Sequence, residues 1–156
     1  MIQRIAFQGE PGAYSHQACV SARPQMEALP CRTFEDVIAA VHEGEAALAM
    51  LPVENTTFGR VPDNHYLLPN SGLHIIDEAF VRVHINLLGV PGARLNDITR
   101  AMSHAVLLGQ CREFLKLHGI QRVTGADTAG SARHVAELGE PELAALAGDL
   151  AGEIYG

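Results

Sequence analysis

Short apolar runs alternate with amphipathic patterns along nearly the whole chain, and this alternation constrains the fold more than any other feature. Arg4–Gln8 is an apolar run ended by Gly9, and Tyr14–Arg23 then reads as a helix stopped by Pro24. Glu27–Cys31 is a second strand candidate. Thr33-Phe34-Glu35-Asp36 opens the next helix, with Thr33 as N-cap, acidic residues in the first turn and Gly44 at the end. Its apolar face is Phe34, Val37, Ile38 and Val41. Ala47–Leu51 is a buried strand closed by Pro52. Arg60–Leu68 has a weak helical pattern that must accommodate Pro62 in its first turn. Leu73–Ile76 and Val81–Val90 read as extended, and Pro91-Gly92 as a turn. Thr99–Met102 is a strand. His104–His118 reads as one helix with Leu107, Cys111, Phe114 and Leu115 on one face and Gly119 as its stop. Gln121–Gly125, Thr128–Leu138, Leu143–Ala147 and Leu150–Tyr155 follow as strand, helix, strand and helix. There is no internal repeat and no low-complexity tract.

Such alternation predicts an α/β protein with mainly parallel strands. The extended stretch from Leu73 to Val90 breaks the rhythm. It is read as a crossover between two small α/β lobes, residues 1–78 and 79–156, with a cleft between them. The 156 residues are enough for that arrangement, and a hydrophobic content of 47 % supports a sizeable core.

Charge and cysteine usage exclude several functions. The net charge is −7 with only 11 Lys and Arg, and no basic cluster. Nucleic acid and anionic membrane are therefore not expected partners, because both require a basic stripe. The three cysteines (Cys19, Cys31, Cys111) show no CxxC spacing and read as reduced thiols, which points to a cytoplasmic protein. The run Met1-Ile2-Gln3-Arg4 leads straight into a strand without signal-peptide anatomy, and no apolar run reaches the ~18 residues of a membrane span.

Candidate chemistry lies where strands end and helices begin. Ser103, Asp127 with Thr128, and Ala13-Tyr14-Ser15 each stand at a helix entry, where unpaired N–H groups and partial positive charge suit a carboxylate. The alternative is that Ser103, Asp127 and Thr128 only cap their helices, each worth ~1 kcal/mol. Glu54-Asn55-Thr56-Thr57 follows a buried strand, the usual ligand position of open α/β sheets; equally, it reads as an Asx-type turn. Gln110 lies seven residues after Ser103, two turns along the same side of the expected helix. Eight histidines show no HxxxH or HExxH spacing, so no metal site is expected. No nucleotide loop and no hydrolase elbow occurs. Cys111 has no evident activating base and reads as a core residue.

Taken in order, the segments Ile5-Ala6-Phe7-Gln8-Gly9-Glu10-Pro11-Gly12-Ala13-Tyr14-Ser15-His16, Thr33-Phe34-Glu35-Asp36, Pro52-Val53-Glu54-Asn55, Gly59-Arg60-Val61, Leu67-Leu68-Pro69, Gly72-Leu73-His74-Ile75, Ser103-His104, Gln110-Cys111 and Asp127-Thr128-Ala129 resemble the prephenate dehydratase family. The resemblance covers nearly the whole chain. It implies a fold like type II periplasmic binding proteins in a cytoplasmic lyase of phenylalanine biosynthesis. The implied reaction converts prephenate to phenylpyruvate, water and CO2 without a cofactor. Such an enzyme must seat two carboxylates and give a proton to the departing hydroxyl. The family's substrate-binding positions fall on Asn55, Ser103 and Gln110, with Thr128 as a wall of the same pocket. Ser15, in the first matching segment, and Thr56, directly after Asn55, are further substrate-binding candidates, and Glu54 is the candidate proton-handling or orienting group. Arogenate is a rival substrate. A domain that binds a small carboxylate or amino acid without turnover is the alternative class. A homodimer or homotetramer is the implied assembly.

The chain departs from the family pattern in three places. Ser103-His104-Ala105-Val106 stands where Ser-His-Pro-Gln is common, and Thr56-Thr57-Phe58 replaces smaller residues. The family's Thr-Arg-Phe segment, whose Thr is regarded as the proton donor and whose strand pairs into the first lobe, would fall beyond Gly156, as would the regulatory ACT domain. Thr99-Arg100-Ala101 precedes Ser103 and does not match it. The resemblance therefore implies weak activity for these 156 residues taken alone.

Overall fold

A computed structural model describes residues 3–156; Met1 and Ile2, part of the N-terminal run read above, lie outside the described residues. The chain divides into two units. The first takes the chain up to Glu10 and Tyr14–Val81; the second takes Pro11–Ala13 and Arg82–Gly156.

The first unit is built on three parallel strands, β1 (Arg4–Gln8), β2 (Glu27–Cys31) and β3 (Leu48–Met50), in the order β2-β1-β3. The central strand β1 places Ile5, Ala6 and Phe7 out of solvent. Helix α1 (Tyr14–Ala22) follows β1, and α2 (Phe34–His42) packs Val37 and Ala40 against Ala6 and Ala46. Thr33 caps α2 as its sequence requires: the Asp36 N–H donates to Thr33 Oγ1, and the Thr33 N–H donates to Asp36 Oδ2, both at 3.1 Å. Beyond β3, the short strands β4 (Glu54–Asn55) and β5 (Gly59–Arg60) form an antiparallel hairpin that leads into α3 (Pro62–Leu67). Pro62 occupies the first helical turn, where its missing N–H costs nothing.

The second unit holds a four-stranded sheet in the order β6-β9-β7-β8, from β6 (Asn86–Leu88), β7 (Arg100–Ser103), β8 (Gln121–Thr124) and β9 (Leu143–Ala147). β7 runs parallel to both β8 and β9; β6 is antiparallel to β9. All five residues of β9 are buried, and their side chains alternate. Ala144 and Leu146 join Ile98, Leu108, Leu115 and Ile120 on one side. Leu143, Ala145 and Ala147 join Ala129, Ala132, Val135 and Ala151 on the other. Helices α4 (Ala105–Gln110) and α5 (Arg112–Leu117) supply the first layer, and α6 (Thr128–Leu138) and α7 (Asp149–Tyr155) the second. The loop Pro11–Ala13 is held in the same unit: Tyr155 donates its hydroxyl to the Pro11 carbonyl at 2.7 Å. Gly12 sits so close to α7 that a Cβ there would lie 2.8 Å from Ala151 Cα.

Three local readings differ from the structure. The segment His104–His118 is two short helices that meet at Cys111, whose φ of −95° and ψ of 8° leave the helical region. Gly109 just before it is a poor helix residue, and the Cys111 N–H bonds the Leu107 and Gly109 carbonyls to close the turn. Phe114 consequently leaves the apolar face and lies 4.5 Å from the His118 ring, while Leu115 fills the core. Of the stretch from Leu73 to Val90, only Asn86–Leu88 is a strand.

Candidate functional site

Glu54, Asn55 and Thr56 stand on the β4–β5 hairpin of the first unit. The N–H groups of Thr57 (2.9 Å) and Phe58 (3.1 Å) donate to Asn55 Oδ1, which makes the Asx turn foreseen as an alternative. The Asn55 amide nitrogen makes no hydrogen bond with another described residue and is left to donate outward. Glu54 and Thr56 are exposed, and β-pairing sets Glu54 opposite Arg60. The hairpin is fixed from below by α3. Asn64 Nδ2 donates to the Pro52 carbonyl (2.7 Å), His65 Nε2 to the Val53 carbonyl (3.0 Å), and the Val61 N–H to the same carbonyl (3.0 Å). Asn64 is fully buried, yet its Oδ1 has no partner among the described residues. Sequence reasoning missed Asn64 and His65 as supports. The available signal was a polar residue, Asn64, spaced three residues from Val61 and from Leu67 on the inward helix face.

Ser15 lies half-buried in the first turn of α1. Its neighbour His16 stacks on Phe7 with ring centroids 5.0 Å apart and planes 6° from parallel. Burial holds the His16 imidazole below its ordinary pKa, so the neutral ring is favoured.

In the second unit, Ser103 is the last residue of β7, Gln110 ends α4, and Thr128 opens α6 beyond β8. Ser103 pairs with Thr124 in the β7–β8 register, and the Gly125 N–H donates to the Ser103 carbonyl (2.8 Å). α4 begins beyond β7, α6 beyond β8 and α7 beyond β9, so three helix entries share one edge of this sheet. That edge is where open α/β sheets place ligands.

The structure reassigns individual roles there. Ser103 does not cap α4. Its side chain has no exposed surface, and its hydroxyl donates to the Leu146 carbonyl of β9 at 2.7 Å. His104 is the cap, with Nδ1 accepting from the Val106 N–H at 3.3 Å. Ser103 precedes the helix on β7, so it does not share a helix face with Gln110, which ends α4 exposed to solvent. Asp127 caps α6: Oδ1 accepts from the Gly130 N–H (2.6 Å), and the Ser131 hydroxyl donates to the Asp127 carbonyl (2.6 Å). Thr128 is half-buried in the first turn, and its hydroxyl bonds no other described residue.

Burial raises the thiol pKa of all three cysteines, that of Cys19 to about 12. At neutral pH they are thiols, which accords with a packing role for Cys111. No group of three His, Cys, Asp or Glu side chains able to hold a metal ion occurs among the described residues. A shallow groove of about 590 Å³ in the second unit, lined by Arg112, Lys116, Gln121 and Arg122 over Leu115 and Ile120, includes none of the sequence-predicted site residues.

The prephenate dehydratase family model matches residues 5–156. The chain belongs to the prephenate dehydratase family. A bifunctional N-acyl-homoserine lactone acylase/prephenate dehydratase of Komagataeibacter europaeus is 51 % identical over 97 % of this chain and 54 % of the relative. Arogenate dehydratase/prephenate dehydratase 1 of Arabidopsis thaliana is 42 % identical over 98 % of this chain and 39 % of the relative. Among solved structures, prephenate dehydratase of Arthrobacter aurescens in complex with L-Phe superposes with a TM-score of 0.87 at 29 % identity, over 97 % of this chain and 52 % of that one. The chain thus spans about half the length of these relatives. The α/β expectation, with a fold like type II periplasmic binding proteins, agrees with the solved prephenate dehydratases. No helix among the described residues is long and apolar enough to cross a membrane.

Proposed function

We propose that this chain is the substrate-binding part of a cytoplasmic lyase that converts prephenate to phenylpyruvate, water and CO2 in phenylalanine biosynthesis. The family match over residues 5–156 carries the reading. The chemistry of the open groups supports it. Prephenate is a dianion, and neutral donors hold carboxylates without the desolvation cost of a buried cation. The first unit offers the Asn55 amide, the Thr56 hydroxyl and Ser15 as donors; the second, taken by itself, offers the Thr128 hydroxyl and the exposed Gln110 amide, with the partial positive charge at the entry to α6. In the reaction, the ring carboxylate departs as CO2 while its bonding electrons enter the ring and expel the hydroxyl at C4. That hydroxyl takes a proton and leaves as water. Glu54, exposed beside Asn55, is the proton-handling or orienting group on this chain. Ser103, whose hydroxyl proton is committed to Leu146, fixes the β7 exit.

Arogenate is the competing substrate, because relatives that match this chain are named arogenate dehydratases. It carries an ammonium where prephenate has a keto group. A second activity, that of an N-acyl-homoserine lactone acylase, is favoured by one observation: the 51 % identical relative is named for both. Calorimetric titration of the purified protein with prephenate and with arogenate tests the reading. It predicts saturable prephenate binding that weakens at least about tenfold in Asn55→Ala, the loss of roughly one charge-assisted hydrogen bond. Absence of binding by either compound contradicts it.

A further inference from the structure

The sheet of the second unit ends in an open edge. β8 pairs with β7 on one side and, among the described residues, with no strand on the other. The N–H groups of Gln121 and Gly125 donate to the Thr99 and Ser103 carbonyls, so these positions turn their backbone toward β7. In a parallel ladder the residues between them turn theirs away. Arg122 and Thr124 therefore present N–H and C=O groups to the open side, where none of them bonds another described residue.

A groove of about 590 Å³ runs beside this edge, lined by Arg112, Lys116, Gln121 and Arg122 over Leu115 and Ile120. Arg122 pairs in register with Ala101, which shares a core layer with Leu115 of α5. Its side chain therefore stands on the face of the sheet that α5 covers. Arg112 and Lys116 lie one turn apart on the same side of α5. Helix and strand thus bring three cations to one groove, the sequence's single lysine among them, in a chain of net charge −7. Glu113 offsets one of them, with Oε1 3.5 Å from Arg112 Nε, but both groups are highly exposed and water screens the pair. Lys116 and Arg122 are exposed and have no ion-pair partner among the described residues.

An open strand edge beside a helix can take an extended peptide that continues the sheet; main-chain bonds supply affinity, and alternate side chains supply specificity. The charges select the peptide. A second copy of the same edge would bring its own three cations against these, and a neutral strand would leave them unmatched. We propose that the groove between α5 and β8 docks an extended acidic segment of a partner protein. The segment adds as a fifth strand beside β8, and acids at every second position reach Arg112, Lys116 and Arg122. Gln121 and Arg122 stand at the amino end of β8, whereas Thr128 follows its carboxyl end, so this surface is separate from the candidate substrate residues of the same unit.

Fluorescence anisotropy with the labelled, end-capped peptide Glu-Val-Glu-Val-Glu-Val-Glu tests the proposal, with thermal unfolding as the check on folding. Saturable binding is expected, weakened at least about tenfold in the combined Lys116→Glu, Arg122→Glu chain, the loss of roughly one charge-assisted hydrogen bond or more. The same peptide with Lys in place of Glu is expected not to bind. Two further acidic peptides carry N-methyl groups on alternate backbone nitrogens, one on the Glu residues and one on the Val residues. Only one of the two phases removes the ladder donors, so one peptide is expected to lose binding and the other to keep it. Both substituted side chains are exposed, which favours retention of the fold; should the double variant unfold, Lys116→Gln replaces it and is expected to bind the acidic peptide more weakly than the wild type. No saturable binding, indifference to the substitutions, equal binding of the two methylated peptides, or complete displacement by inorganic phosphate at matched charge, which would mark a site for small anions, overturns the proposal.

Discussion

Asn64 shows how one side chain off the sequence motifs governs one that is on them. Its amide holds the Pro52 carbonyl, two residues before Glu54, and leaves a buried oxygen unpartnered. Asn64→Ala removes that bond and strands the carbonyl, so a loss of about 1–3 kcal/mol is expected in urea unfolding. His16 sets a pH dependence. Its imidazole is harder to protonate in the folded chain than in the unfolded one, because burial penalises the charge. The stability this contributes is fully present above the unfolded value of 6.5 and is lost as pH falls through the lower folded value. Unfolding midpoints of the wild type are expected to drop more steeply than those of His16→Gln as pH falls from 6.5 to the lower folded value. Equal slopes would mean that His16 does not set this dependence. The Asx turn at Asn55 and the Asp127 cap of α6 were legible in the sequence, because turn and cap chemistry is local. The commitment of Ser103 to Leu146 was not, since it spans 43 residues of chain.

At the scale of elements, the sequence signals that held were short-range ones. Thr33 with Asp36 marked α2, Asp127 marked α6, and Leu143–Ala147 came through as a strand because an uninterrupted apolar run of five suits burial on both faces. The helix reading over His104–His118 failed because periodicity continues across the break: Leu107, Leu108, Cys111 and Leu115 are still turned inward. Apolar spacing reports the buried side and is blind to one turn that closes early. Gly109 sits at that break with nothing within 4 Å of a Cβ added to it. Gly109→Ala is therefore expected to stabilise the protein by roughly 0.5–1 kcal/mol through helix propensity and a less free unfolded chain. A destabilised Gly109→Ala in thermal or urea unfolding would mean that the glycine serves the break itself.

On the whole molecule, the alternation of strands and helices carried the α/β class, and the parallel pairs of both sheets follow from it. The assignment of Pro11–Ala13 to the second unit rests on packing no local pattern reports: Gly12 against Ala151 and Tyr155 on Pro11. Membership of the prephenate dehydratase family supports the proposal that this chain recognises a cyclohexadienyl dicarboxylate through neutral donors. The direct test is incubation of the purified protein, its mass verified, with prephenate, following phenylpyruvate and CO2 together, with arogenate in parallel. The two products are expected in equal amounts from prephenate, however slow the turnover, with a rate lowered by roughly 10²-fold or more in Glu54→Gln if that carboxylate handles the proton. Failure to form either product from prephenate or arogenate, in protein that also fails to bind them, would contradict the claim.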